Sequence, residues 1–208
     1  MPGVDVVVLV PVKAFTDAKV RLSGVLTPQQ RHALARWSAE RVVAAADGLP
    51  VFVACDDDAV ADWAREQGAS VLWRPGVGLN AAVHHSVGEL RALGVDHVIV
   101  AHGDLPRASR LASVVTPGGV TLVPDAALDG SNVVSLPTDT DFEFSYGPGS
   151  FHRHLQRALA LRLTVTVRRD PHLAIDLDTP TDLTHPLVQE VLPEWLRTNP
   201  VNPTPPSA

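Results

Sequence analysis

The chain is poor in the features that staple small folds, cross bilayers or grip nucleic acid. Its one cysteine, Cys55, cannot form an internal disulfide. Placed after the apolar run Val51-Phe52-Val53-Ala54, it reads as a buried, inert thiol suited to a reducing cytosol. The apolar stretch from Val6 to Val12 is too short to span a bilayer and lacks the basic leader and cleavage site of a signal peptide, so it is expected to be the first strand. A cytoplasmic location without a membrane partner is the corresponding expectation. Positive charge is scarce too. The formal charge is −6, with no basic block to release counterions from a polyanion, which argues against nucleic acid as a partner. G-x-G-x-x-G and G-x-x-x-x-G-K-[ST] are both missing, so the dinucleotide-fold and P-loop grips lose their main support. No internal repeat is visible.

What is present is a globular composition, 45% apolar and 19% charged over 208 residues, which is enough for one sizeable core. A single domain is expected over residues 1–198, with the proline-rich residues 199–208 as a flexible tail. Val4 to Val10 reads as a strand, and Pro28 to Ala46 as a helix with Thr27 as N-cap, Pro28 at its first position and Gly48 as its stop. Val51 to Ala54, Ser70 to Arg74 and His97 to Ala101 read as further strands, separated by helical patterns over Asp58 to Gln67 and Leu79 to Leu93. After Asp104 the alternation becomes irregular. A short helix is expected there, then a strand over Val120 to Val123 and an edge or antiparallel strand over Asn132 to Leu136. Helix Pro148 to Leu161, strand Leu163 to Val167 and a helical stretch through Trp195 complete the order. The pattern predicts an α/β fold of three α/β/α layers with a mostly parallel mixed sheet.

In such sheets ligands sit outside the carboxyl ends of the strands. The run "DHVIVAHGDLP" ends there on Asp104, where an acid needs a reason. Asp176 and Asp178, two apart in a segment expected to be extended, send both carboxylates to one face. Capping does not need them, because Thr179-Pro180-Thr181-Asp182 is a plausible capping box on its own. Together Asp104, Asp176 and Asp178 make a candidate Mg²⁺ site of hard oxygen ligands, the alternative being solvated turn residues. The loop "VPVKAFTDAKVRLS" leaves the first strand with Lys13, Lys19 and Arg21, three cations able to neutralise a triphosphate or simply to be solvated.

Taken in order, "PVKAFTDAKVRLS", "GLNAAV", "GDLP", "DGSN", "YGPGSF" and "DLDTPTDL" resemble the 2-phospho-L-lactate or phosphoenolpyruvate guanylyltransferases of deazaflavin coenzyme F-420 biosynthesis. The resemblance runs from about Val6 to Leu183. It implies a fold like that of nucleotide-sugar and molybdenum-cofactor nucleotidyltransferases, and transfer of GMP from GTP to a three-carbon phospho-acid with release of pyrophosphate. It implies Mg²⁺ held by Asp104, Asp176 and Asp178, and GTP phosphates facing Lys13, Lys19 and Arg21. It also places Asn80 in the nucleoside pocket, and Ser131, Gly147 and Ser150 on the acceptor's carboxylate or phosphate. The product would pass to the next transferase of the pathway. Gly147-Pro148-Gly149-Ser150 fits an anion site in its own right, since the free amides of a helix start attract negative charge.

Three positions depart from the family pattern. Val20 stands where many relatives have a hydroxyl residue, Ser131 replaces a frequent threonine, and His102 precedes "GDLP" where no histidine is expected. A satisfied structural histidine is the plainer reading of His102. His84 with His85, and His152 with His154, lack the i, i+4 spacing of a helical zinc site. The implied reaction is an in-line displacement in which the acceptor's phosphate oxygen attacks the α-phosphorus, without a protein nucleophile or base. Rival readings are a haloacid-dehalogenase-like phosphatase, suggested by "DLDTP", a nucleotidyltransferase acting on a sugar phosphate or pterin cofactor, and a nucleotide-binding relative without catalysis. Phosphoenolpyruvate, 2-phospho-L-lactate and 3-phosphoglycerate are not separated by the sequence.

Overall fold

A computed structural model describes residues 5–197. Val4, the expected start of the first strand, and the expected tail over residues 199–208 lie outside them. Seven strands join one sheet: β1 (Val6–Pro11), β2 (Val51–Cys55), β3 (Ser70–Trp73), β4 (His97–Ala101), β5 (Val120–Pro124), β6 (Ser131–Pro137) and β7 (Val165–Val167). Their order is β3-β2-β1-β4-β6-β5-β7, parallel except for β6, which runs antiparallel to both β4 and β5. Four longer helices cover it: α1 (Pro28–Ala44), α2 (Asp58–Glu66), α3 (Leu79–Ala92) and α4 (Ser150–Ala160).

The two faces follow from side-chain alternation. Val7, Leu9, Val98 and Val100 pack with Val83, Val87 and Leu90 of α3 and with Phe151 and Ala158 of α4. Val8, Val10, Ile99 and Ala101 face the other way, against Val42 of α1 and Leu105. Helix α2 joins α1 on that second side, where Trp63 packs with Ala35, Ala39 and Val53. Strands β1 and β4 are apolar without interruption because both faces are covered. Each fully buried valine or leucine contributes about 1.5–3 kcal/mol relative to exposure. The three-layer architecture is therefore the one the pattern predicts.

Helix α1 begins as expected. The Gln30 N–H donates to Thr27 Oγ1 at 3.2 Å, the Gln30 side chain accepts from the Thr27 N–H at 2.9 Å, and Pro28 needs no partner at the first position. The chain winds from β1 through β2 to β3 on one side, and α3 then carries it back to place β4 on the other side of β1. That reversal opens a crevice at the carboxyl ends of β1 and β4.

The irregular second half differs from expectation in three places. Strand β6 is antiparallel but interior, not an edge, because β4 and β5 flank it and Ser131 through Leu136 are buried. After Asp104 the chain forms only a 3₁₀ turn over Leu111–Val114. The closing helical stretch is divided into α5 (Pro180–Thr184), α6 (Pro186–Gln189) and α7 (Glu194–Arg197), since Pro186 and Pro193 each remove a helical donor. These short helices still bury Leu183, Val188, Leu192 and Leu196 against Leu22, Leu26 and Leu34, with Ile175 and Leu177 between them. Among the described residues no helix is long and apolar enough to cross a membrane.

Candidate active site

This satellite core brings a late segment of the chain to the crevice. Ile175 and Leu177 are buried in it, so the alternate residues Asp176 and Asp178 point away, toward the end of β4. The Leu177 N–H donates to the Asp104 carbonyl oxygen at 3.1 Å and fixes the register. One carboxylate oxygen from each of Asp104, Asp176 and Asp178 lies within 4.8 Å of the others. Thr179 starts α5 with its own capping box, in which Asp182 accepts from the N–H groups of Asp178 and Thr179. Asp176 and Asp178 are accordingly not needed as caps.

Lys19 enters this cluster from the loop after β1. Its backbone is left-handed, at φ 57° and ψ 35°, a conformation that costs a non-glycine residue free energy and that tertiary contacts must repay. The repayment is visible. Lys19 Nζ lies 2.9 Å from Asp178 Oδ1 and 3.4 Å from Asp104 Oδ2, with a side chain only 5% exposed. Burial alone would lower the Lys19 pKa, but Asp104 and Asp178 outweigh it and hold the ammonium above its ordinary value. Burial likewise pushes Asp104 up, yet Lys19 and then His102 hold it below the usual carboxylate range. Asp176 has no such partner: burial first, and then the charge of Asp104, raise it to about 7.

The donor set suits a hard divalent cation. Asp104 Oδ1 is buried with no hydrogen-bond partner, and the three acids offer only oxygen. Oxygens sharing one cation at metal–oxygen distances of about 2.0–2.6 Å lie up to about 4–5 Å apart, so the observed spread needs little adjustment to hold a metal.

Two adjoining cavities open beside the acids. One, of about 420 Å³, is lined by Lys13, Asp56, Asp57, Arg74, Gly78 and Leu79 among others. The second, of about 220 Å³, is lined by Lys13, Lys19, His102, Gly103, Asp104 and Asp178 among others. Lys13 lies on both linings and, among the described residues, is in no ion pair. Arg21 is exposed on the 3₁₀ turn Val20–Leu22 and lines neither cavity. Motif reading passed over Asp56, Asp57 and Arg74. Their signal was position, since each follows the carboxyl end of β2 or β3.

Asn80 is not on either lining. Its Oδ1 accepts from the Tyr146 N–H at 2.6 Å and its Nδ2 donates to the Tyr146 carbonyl at 3.5 Å, so it clasps α3 to the loop before α4. That loop is stitched further by Arg153, which donates to the carbonyls of Ser145, Gly147 and Pro148. Ser131 and Ser150 meet beneath it, the Ser131 N–H donating to Ser150 Oγ at 3.0 Å. Gly147 adopts φ +115° and Gly149 φ +73°, where a side chain would be strained. The helix start is not an open anion site, because the Ser150 N–H is bonded to Gly147 O and the Phe151 N–H to Asp129 O.

His102 packs against Tyr146 with ring centroids 4.8 Å apart, and its Nε2 is buried without a partner, as is the Tyr146 hydroxyl. It is therefore not the satisfied structural histidine that the sequence suggested. Burial holds its pKa below the ordinary histidine value, despite Asp104 and Asp178 nearby. Cys55 is buried, as expected.

Solved structures place this architecture in a class. A nucleotidyl transferase from Methanothermobacter superposes with a TM-score of 0.64 at 17% identity, over 95% of this chain and 100% of that one. A CMP:2-keto-3-deoxy-manno-octonic acid synthetase solved with CTP gives 0.57 at 13% identity, over 86% and 95%. The fold is thus the one found in nucleotidyltransferases. More specifically, residues 6–190 match the family described as guanylyl transferase CofC like, and the chain belongs to that family. A phosphoenolpyruvate guanylyltransferase of Rubrobacter xylanophilus is 39% identical over 190 residues, covering 86% of this chain and 92% of that protein. One of Sphaerobacter thermophilus is 31% identical over 186 residues, covering 85% and 90%.

Proposed function

We propose that the protein joins GMP from GTP to phosphoenolpyruvate, or a closely similar three-carbon phospho-acid, releasing pyrophosphate in deazaflavin coenzyme F-420 biosynthesis. The observation that carries this reading is the convergence of Asp104, Asp176 and Asp178 around Lys19 beside the two cavities. Family membership and relatives named phosphoenolpyruvate guanylyltransferase support the choice of substrates.

In this reading the larger cavity takes the nucleoside, and Lys13, at the junction of the two, meets the phosphates. The three acids would hold Mg²⁺, which supplies charge neutralisation for the α-phosphate and the departing pyrophosphate. Lys19 serves the acids more than the nucleotide: its ammonium pairs with both Asp104 and Asp178 and holds the Asp104 carboxyl below the usual carboxylate range. Arg21 has no assigned contact. The acceptor's phosphate oxygen forms the new bond to the α-phosphorus as the bond to the bridging α–β oxygen breaks in line. A phosphate with its second pKa near about 6 is already ionised at neutral pH, so no protein base is required. The site's work is to hold two anions together. The donors available to the acceptor are the hydroxyls of Ser131 and Ser150, whose oxygens each already share one hydrogen bond, and the N–H of Gly147, which makes none among the described residues. The product would be consumed by the next transferase of the pathway.

The test is pyrophosphate release with GTP, CTP or ATP against phosphoenolpyruvate, 2-phospho-L-lactate and 3-phosphoglycerate, with a product-consuming transferase present. GTP with phosphoenolpyruvate is expected to be the fastest pair. A faster reaction with a sugar phosphate, or none with any pair, would overturn the reading.

A further inference from the structure

His154 stands in α4, fully buried, between two segments that the proposed function uses for the acceptor. Its Nε2 accepts from the Ser145 backbone N–H at 2.9 Å. An amide N–H can only donate, so Nε2 carries no proton. Burial holds the ring well below the ordinary histidine pKa, at about 4, so it is neutral near pH 7 and its one proton sits on Nδ1. Nδ1 lies 2.9 Å from Ser131 Oγ and must be the donor there.

The consequence falls on Ser131. Were Nδ1 bare, the hydroxyl would spend its proton on the ring and present lone pairs to its surroundings, which repel a carboxylate or phosphate. With Nδ1 protonated, the hydroxyl accepts from the ring and keeps its own proton uncommitted. No other side-chain bond to Ser131 Oγ exists among the described residues. Ser150 is in the same condition, its oxygen accepting from the Ser131 N–H. At 1% and 2% exposure, the two serines lie beneath the loop before α4 and line neither cavity, so the acceptor reaches them only as that loop shifts. Ring reversal is resisted as well, because it would turn carbon toward the Ser145 N–H. Tyr146, at 4.9 Å between centroids, and Phe142, at 5.7 Å, pack against the imidazole.

We propose that His154 is a positioning residue for the phospho-acid: held as the Nδ1–H tautomer by the Ser145 amide, it makes Ser131 an obligate hydrogen-bond donor to the acceptor's anionic oxygen. The inference rests on the reading that Ser131 meets the acceptor.

Two measurements test it. Long-range ¹H–¹⁵N NMR of the histidine rings should show His154 neutral and protonated on Nδ1 near pH 7; protonation on Nε2 overturns the proposal. Michaelis constants should be compared for Ser131→Ala, His154→Asn and His154→Gln. Asparagine can place an N–H near the Nδ1 position, whereas glutamine reaches toward the Nε2 position. His154→Gln is expected to raise the KM for phosphoenolpyruvate about tenfold, the effect of one lost hydrogen bond, with the KM for GTP within about twofold and a smaller acceptor effect in His154→Asn. Equal rises for both substrates in both histidine variants would mean a purely structural role and overturn it. If Ser131→Ala raises the acceptor KM while His154→Gln does not, the histidine inference fails and the acceptor reading stands. If Ser131→Ala leaves that KM unchanged, the acceptor reading itself fails, and the inference with it.

Discussion

The Leu177 N–H donates to the carbonyl oxygen of Asp104 at 3.1 Å, binding the segment that carries Asp176 and Asp178 to the end of β4. One backbone bond thus sets the register of three acids that the chain order keeps far apart. It holds because Leu177 and Ile175 are buried on the opposite side, so a slip by one residue would bury the carboxylates and expose the apolar pair. Site assembly and satellite-core packing are the same event.

The first prediction concerns the acids. Asp104→Asn keeps the shape of the side chain and removes its charge. Pyrophosphate release should fall by about 10²–10³ or more, with far-UV circular dichroism unchanged. Turnover at the wild-type rate in this variant would remove Asp104 from the site.

Lys19 is expected to matter for stability as much as for rate. Lys19→Met deletes the ammonium that offsets two acids and leaves Asp104 without its nearest counter-charge. Breaking a buried pair costs about 3–5 kcal/mol, but Asp104 and Asp178 are 24% and 38% exposed. Solvent screening therefore reduces the expected loss to about 1–3 kcal/mol. Urea unfolding in chelator measures it, and added Mg²⁺ should recover part of the difference by neutralising the same acids. An unchanged midpoint would show that the ion pairs contribute nothing.

The frame of this site was legible in the sequence because its signals are periodic. Uninterrupted apolar runs marked strands covered on both faces, and the alternation of Ile175, Asp176, Leu177 and Asp178 marked two acids on one side. The residues that cross between elements were not legible. Lys19 read as a loop cation for phosphate, yet its partners are acids from the end of β4 and from beyond β7, a geometry created only when Leu22 joins the satellite core. Asn80 read as a nucleoside contact, yet its amide matches the backbone of Tyr146. The segment Asn132 to Leu136 read as an edge or antiparallel strand; β6 is antiparallel but interior, and it carries the polar Ser131, Asn132 and Ser135. They are buried, because Ser135 meets His97, Asn132 meets the Leu173 carbonyl and Ser131 meets His154.

A pH dependence follows from Asp176. Its folded pKa of about 7 lies above the ordinary carboxylate value, so in the metal-free protein the protonated form is favoured by folding. That contribution is fully present below the unfolded pKa of about 3.9 and is lost as pH rises through about 7. Asp104 has the opposite sign: its depressed pKa stabilises the fold above the unfolded value and is lost as pH falls. A cation competes with the Asp176 proton, so the melting-temperature gain from Mg²⁺ should be small near about pH 5.5 and grow through about pH 8. Asp176→Asn should raise the metal-free melting temperature at the higher pH and abolish the Mg²⁺ gain. A metal gain independent of pH would contradict the assignment.

The last prediction separates two roles for Asn80. Its side chain pairs with both the N–H and the carbonyl of Tyr146, and Tyr146 lies against His102 at the second cavity. Asn80→Ala should therefore loosen the loop over Ser131 and Ser150, raising the KM for phosphoenolpyruvate several-fold, as expected for the loss of about 0.5–1.5 kcal/mol of hydrogen bonding. The KM for GTP should change less. Asn80→Asp keeps the acceptor for the Tyr146 N–H but loses the donor to its carbonyl, so its effect should fall between those of wild type and alanine. Steady-state kinetics with each substrate varied in turn decides the matter. A selective rise in the GTP constant would return Asn80 to the nucleoside pocket and make the clasp incidental.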